Sequence, residues 1–168
     1  MTGAISNSLH ATAVAVAVDN DGPLAGALIL GGSGAGKSAL ALSLIEACPF
    51  QRTALIADDV VFIETSRGGL VARRPESIAG MIEVRGFGPV KVRTISSCGL
   101  IIAVDLGAQS ERVPAPRRFG AVEGSPGIPL YPFMWNGAEA TAPHRLRRMI
   151  ATILGGQSQR RGQDGDPV

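Results

Sequence analysis

The chain has 168 residues, 45% of them hydrophobic and 18% charged, with a formal net charge of +2 at pH 7. That length supports one domain with its own core, and that composition excludes a disordered polyelectrolyte. A charge this small gives no field for a polyanion, so nucleic acid is not expected as a partner.

The first residues, 1–8, are small and polar and are expected to be loose. Met1 to Leu9 lacks the basic start and apolar run of a secretory leader. No apolar run reaches the length of a membrane span. The expectation is a cytoplasmic protein that does not engage a membrane. The two cysteines, Cys48 and Cys98, show no metal spacing and read as small apolar core residues in a reducing compartment.

From Leu9 to Val18 valine alternates with alanine, a strand period. Asp19 to Pro23 is a turn, so His10 to Leu30 reads as a hairpin with His10 at the start of its first strand. The apolar run Leu24 to Leu30 then enters Gly31-Gly32-Ser33-Gly34-Ala35-Gly36-Lys37-Ser38, which fits the P-loop pattern G-x-x-x-x-G-K-[ST]. Its glycines let the backbone curl and aim N–H groups inward as an anion nest. The following helix start adds partial positive charge, Lys37 a full charge for the outer phosphates, and Ser38 a hydroxyl for Mg²⁺. Only two lysines stand against fourteen arginines, so a lysine at that one place is hard to ascribe to chance.

The P-loop helix is expected from Lys37 to Ala47, ending before Pro49. Thr53 to Ile63 is an apolar strand interrupted by Asp58-Asp59. A carboxylate at the end of such a strand can hold Mg²⁺ or its water. On a continuing strand the two would face opposite ways, so only one could reach the phosphates unless the strand ends there.

Ser66 to Gly69 is a hairpin turn before the short strand Leu70 to Ala72. Ile78 to Val90 reads as a strand with Glu83 and Arg85 on one face and with Gly86 and Gly88 marking an unusual turn. Leu100 to Leu106 is a strand buried on both faces. Residues 107–127 are loop-rich, with Arg117-Arg118 solvated, and Ile128 to Trp135 is apolar but broken by prolines, suited to cover an edge or a partner. The last helix has Thr141 as cap and Pro143 in its first turn. Leu146, Met149, Ile150, Ile153 and Leu154 form its apolar face, with Arg145, Arg147 and Arg148 mainly exposed. Gly155-Gly156 is expected to end it and residues 156–168 to be a disordered tail.

The ordered set Leu9-His10-Ala11-Thr12, the P-loop, Ala57-Asp58-Asp59 and Glu83-Val84-Arg85-Gly86-Phe87-Gly88 resembles the catalytic domain of the HPr kinase/phosphorylase family, especially its short alphaproteobacterial forms. The resemblance covers roughly residues 8–155, and its most specific piece is the match of Glu83 to Gly88 to the signature E-I-R-G-L-G. It implies an α/β P-loop kinase domain with a central β-sheet flanked by helices. It further implies ATP and Mg²⁺ as cofactors, an HPr-type phosphocarrier protein as partner, and transfer of a phosphoryl group to serine or its removal by phosphorolysis.

Carried over residue by residue, His10 matches the active-site histidine, Lys37 the phosphate-binding lysine, and Ser38 and Glu83 Mg²⁺ ligands. Arg85 is placed in the site. Asp59 matches the aspartate that takes the serine proton, and Asp58 is the adjacent carboxylate on Mg²⁺ or its water; the division of roles between the two stays open. Members are often hexamers, so a homo-oligomer is allowed. The family's P-G-R stretch with its catalytic arginine is not recognisable, and Tyr131 to Gly137 stands in its place. Arg145 is a substitute without a positional argument. Two other classes stay in view: a nucleotide-dependent regulatory binding protein that transfers nothing, and a small-molecule kinase with an arginine-rich lid.

Overall fold

The structure is a computed structural model that describes residues 7–76, 80–108, 111–120 and 124–163. The expected loose start over residues 1–6, the strand positions Ile78 and Ala79, and residues 164–168 of the expected tail lie outside them.

Two long, broken strands shape the sheet. β1 (Asn7–His10) and β2 (Thr12–Val16) are parted only at Ala11. Further along, after β3 (Ala25–Leu30) and the P-loop helix α1 (Lys37–Glu46), β4 (Ala54–Ala57) and β5 (Val60–Ser66) are parted only at Asp58-Asp59. β1 pairs antiparallel with β5 and β2 with β4, so the two breaks lie side by side. The remaining strands close the distance between the two halves. β6 (Gly69–Arg73), β7 (Met81–Val84), β8 (Gly88–Lys91), β9 (Ser97–Asp105), β10 (Arg117–Phe119) and β11 (Ile128–Pro132) follow in sequence. The main sheet runs β1-β5-β6-β9-β3-β2-β4, while β7 and β8 form a separate hairpin. Because both ends of that order belong to the same bent ribbon, the sheet curls back on itself.

The curl explains the valine–alanine alternation. Ala11, Ala13 and Ala15 point into an inner cluster with Leu28, Ile56, Val61, Leu70, Ala103 and Leu130, built from strands alone. Val14 and Val16 point outward and pack with Ile29, Ile102 and Val104 against Leu40 and Leu44 of α1 and Leu146 and Ile150 of α2 (Ala142–Gln163). Small side chains fit the tight concave face, where one added methylene typically costs about 1–3 kcal/mol. Larger ones fill the gap to the helices, each worth about 1.5–3 kcal/mol when buried.

β3, β9 and β11 are parallel, and β4 shares their direction because β2 is antiparallel to both β3 and β4. Four strands therefore end on one edge, the general place for a ligand in an open α/β sheet. The β7–β8 hairpin docks on α1 through Ile82, which is buried among Leu40, Ala41 and Leu44.

Several expectations need correction. His10 ends β1 opposite Val60, and the hairpin into the P-loop begins only at Thr12. Ile128 to Pro132 is no mere cover: it enters the sheet as β11, parallel to β9, with Pro129 facing the short edge strand β10. Thr141 offers its carbonyl to Arg145 N–H, but its hydroxyl donates to Ala138 C=O and caps no N–H group. Arg147 is 9% exposed and donates to the carbonyls of Ala17, Leu44 and Ala47, closing the C-terminus of α1. α2 runs past Gly155-Gly156 to Gln163, so residues 156–163 of the expected tail are helical. A glycine inside a helix costs about 1 kcal/mol, which the flanking glutamines and arginines tolerate. No helix among the described residues is long and apolar enough to cross a membrane.

Candidate active site

At the end of β3 the chain turns through Gly31 to Gly36, closed by Ala35 N–H to Gly32 C=O at 3.1 Å. Gly34 and Gly36 take φ of 78° and 101°, a left-handed backbone that turns N–H groups into the concavity. Gly36 occupies the N-cap of α1 with no side-chain hydrogen bond, and the first turn holds no acidic residue. The N–H groups of that turn are thus left for an anion.

Lys37 is 6% exposed, and its Nζ donates to the carbonyls of Gly31 and Gly32, both at 2.9 Å. Carbonyl dipoles hold its charge over the loop. Ser38 Oγ lies 2.9 Å from both carboxylate oxygens of Asp58 and donates to them. Thr12 Oγ1 donates to Asp58 Oδ1 at 2.7 Å from a fully buried position in β2.

The strand does end at the acid pair. Val60 N–H bonds to Asp58 C=O at 3.0 Å, and Asp59 sits at the centre of this three-residue turn with φ 67°. Such a conformation is strained for a residue with a side chain, and strain of this kind concentrates at functional sites. The turn separates the two carboxylates: Asp58 meets Ser38 and Thr12, while Asp59 is exposed.

His10 is exposed at the end of β1, beside that turn, where Ala11 N–H bonds to Asp59 C=O at 3.2 Å. Arg85, in the turn after β7, brings Nη2 to 3.9 Å from where a Cβ on Gly34 would stand. Glu83 is exposed on β7, with no hydrogen bond or ion pair to Ser38 or Asp58 among the described residues. The structure thus joins Lys37, Ser38 and Asp58 in one cluster, sets Arg85 at the loop and His10 beside Asp59, and leaves Glu83 apart on the hairpin.

Among the described residues no group of three or more His, Cys, Asp and Glu comes together to hold a metal. A hydroxyl and a carboxylate are still the donor set Mg²⁺ takes when phosphate oxygens and waters complete its shell. Ser38 and Asp58 fit that ion.

Two residues were missed in the sequence. Thr12 gave one signal, a lone hydroxyl inside an Ala/Val alternation. Trp135 gave none: its indole packs on the P-loop so closely that a Cβ on Gly36 would collide with Nε1. Arg145 gains a position from the same segment. Its Nη2 donates to Met134 C=O at 2.6 Å, and its guanidinium lies 4.6 Å from the centre of the Phe133 ring.

The family model of the HPr serine kinase C-terminal domain matches residues 4–103, more than half of the chain. The chain belongs to the HPr serine kinase C-terminal domain family. Across 102 residues it is 35% identical to an HPr kinase/phosphorylase of Brevibacillus brevis, over 60% of this chain and 32% of that one. To the HPr kinase/phosphorylase of an Azoarcus species it is 48% identical over 71 residues, 42% of this chain and 21% of the other. It therefore spans about a third or less of the length of these relatives. A solved Hpr(Ser) kinase/phosphatase from Coxiella burnetii shares the fold, with a TM-score of 0.69 over 92% of this chain and 97% of that one at 19% identity. The expected α/β kinase fold stands, as a curled sheet with two helices among the described residues. The family match stops at Ala103, before the segment that carries Trp135 and Arg145.

Proposed function

We propose that this domain transfers the terminal phosphoryl group of ATP to a serine hydroxyl of an HPr-type phosphocarrier protein, with Mg²⁺, in the cytoplasm where ATP is available. One observation carries the reading. Lys37, Ser38 and Asp58 form a bonded cluster at the P-loop, while the neighbouring carboxylate Asp59 stands free of it at the surface.

The loop amides and the start of α1 bind the phosphates. Lys37 neutralises charge on the outer ones and Arg85 adds a second cation beside Gly34. Mg²⁺ held at Ser38 and Asp58 would supply charge neutralisation across the phosphates. Asp59 takes the proton of the acceptor hydroxyl as the serine O–P bond forms and the bond to the nucleotide's bridging oxygen breaks. His10, beside that turn, orients the acceptor. In the reverse direction inorganic phosphate takes the phosphoryl group from phosphoserine, and Asp59 returns the proton.

The test is incubation of the purified chain with γ-labelled ATP, Mg²⁺ and a purified HPr-type phosphocarrier, run in both directions. Labelled phosphoserine is the expected product. Nucleotide binding with no label in the carrier would defeat the reading. One observation favours a rival: the segment lying on the P-loop at Trp135, Tyr131 to Gly137, carries no arginine. A regulatory protein that binds the carrier only with nucleotide, and transfers nothing, would show nucleotide-dependent pull-down without phosphoserine.

A further inference from the structure

Among the described residues four large apolar side chains are exposed: Met81, Phe87, Val113 and Met134. Two of these stand on the segments that touch the P-loop. Phe87, 81% exposed, is at the tip of the β7–β8 turn, two residues beyond the Arg85 guanidinium that lies against Gly34. Met134, 55% exposed, precedes the Trp135 indole that lies against Gly36. Both are held by their backbones. Phe87 N–H bonds to Val84 C=O at 2.9 Å, and Met134 C=O accepts from Arg145. An apolar side chain held out on an ordered backbone gains free energy only when something covers it.

We propose that Phe87 and Met134 are two apolar grips by which a protein acceptor docks across the mouth of the P-loop and brings its serine to Asp59. The inference rests on the phosphotransferase reading above. The occupant is a folded protein. A small alcohol is recognised in a walled pocket, whereas here side chains project beside the reacting groups. An arginine stands beside each grip: Arg85 is exposed two residues before Phe87, and Arg145 is bonded to the Met134 carbonyl. The fitting surface therefore has an apolar side chain next to its serine and carboxylates around it. Neither grip touches the phosphates, so both belong to acceptor affinity and not to the chemical step.

The experiment compares the full chain with Phe87→Ser, Met134→Ser and the double variant. It measures affinity for an HPr-type phosphocarrier in the presence of a non-hydrolysable ATP analogue, transfer rate against acceptor concentration, and affinity for the analogue. Each single change is expected to weaken acceptor binding and raise its KM about thirtyfold, the size of a hot-spot truncation. The rate at saturating acceptor and the analogue affinity stay as they were. Transfer with an unchanged KM in the double variant overturns the docking surface and spares the kinase. Acceptor binding that depends on both residues but yields no phosphoserine supports the surface and defeats the kinase. No binding of the carrier at all overturns the surface. So does a dimer of this chain that the double variant dissolves while acceptor affinity holds.

Discussion

Replacing Thr12 by valine keeps the shape of the side chain and removes one hydroxyl. That hydroxyl is fully buried and donates to Asp58 Oδ1 at 2.7 Å. A hydrogen bond to a charged group is worth about 1.5–3 kcal/mol, and the valine methyl returns part of that by burial. Asp58 keeps its bond from Ser38. The net loss should be about 1–2 kcal/mol, or roughly 3–6 °C in Tm for a chain of this size. A carboxylate released on one side should also bind its ion less well, so half-saturation by Mg²⁺ in nucleotide binding should rise about five- to tenfold. Thermal unfolding and a Mg²⁺ titration of nucleotide affinity read the two effects separately. Thr12→Ser keeps the donor and should recover the Mg²⁺ requirement. A valine variant that melts with the parent and binds at the same Mg²⁺ concentration would refute the assignment of Thr12 as the residue that positions Asp58.

Lys37→Ala should weaken nucleotide binding at least tenfold by calorimetry. Asp59→Asn should leave that binding within twofold while phosphoryl transfer drops by about 10²–10⁴; unchanged turnover would remove Asp59 from the mechanism. Arg147→Met strips donors from the carbonyls that end α1 and should cost about 2–3 kcal/mol in urea unfolding, without altering nucleotide affinity; an unshifted midpoint would show that water replaces the guanidinium. Cys48 makes the pH prediction. Burial alone would raise its thiol, but bonds from the Thr53 side chain and the backbone of Arg52, Thr53 and Phe50 outweigh burial and lower it from 9.0 to about 7. Burial pushes the Cys98 thiol up instead. Thiolate absorbance should rise in two steps, the first near pH 7 and absent in Cys48→Ala. A depressed thiol stabilises the fold above its unfolded value and loses that contribution as pH falls through about 7. The wild type should therefore gain stability between pH 7 and 9 and Cys48→Ala should not. A single step near 9 would sink the prediction.

What could be read in advance was local. The glycine spacing from Gly31 to Gly36 announced the loop, and Leu40 and Leu44 announced the helix that follows. The run Thr53 to Ala57 announced a strand ending at acid. Ser66 to Gly69 announced a turn. What could not be read depends on contacts distant in sequence. The alternation from Ala11 to Val16 says strand, but only the curl makes alanine the inner partner and valine the outer one. Asp58 and Asp59 are alike in sequence, and a backbone at φ 67° tells them apart. Arg147 looks solvated by helical phase until the end of α1 arrives beside it, 103 residues earlier in the chain at Leu44. Pro129 and Pro132 argue against a strand, yet each stands in only one of the two ladders of β11, Pro129 against β10 and Pro132 against β9 at the strand's end, so few donors are lost. Glu83 was legible only as part of a signature, and the hairpin that carries it is fixed by Ile82 against α1 and by no polar contact with the other acids.

The curl and the division of the two carboxylates have one cause. Two antiparallel strands bend together where Ala11 N–H meets Asp59 C=O. Were the ribbon straight, Asp58 and Asp59 would face opposite sides of the sheet, one of them into the alanine-lined interior. The bend ends the strand first, so Asp58 turns to Ser38 while Asp59 is carried out to solvent beside His10. An unpaired carboxylate buried in that interior would cost several kcal/mol, so a sheet that kept running could not hold two acids here. Asparagine has the same shape as aspartate and meets the same backbone demand at φ 67°. Asp59→Asn therefore leaves the bend intact and removes only the charge. A loss of transfer in that variant can be read as chemistry and not as an unfolded corner.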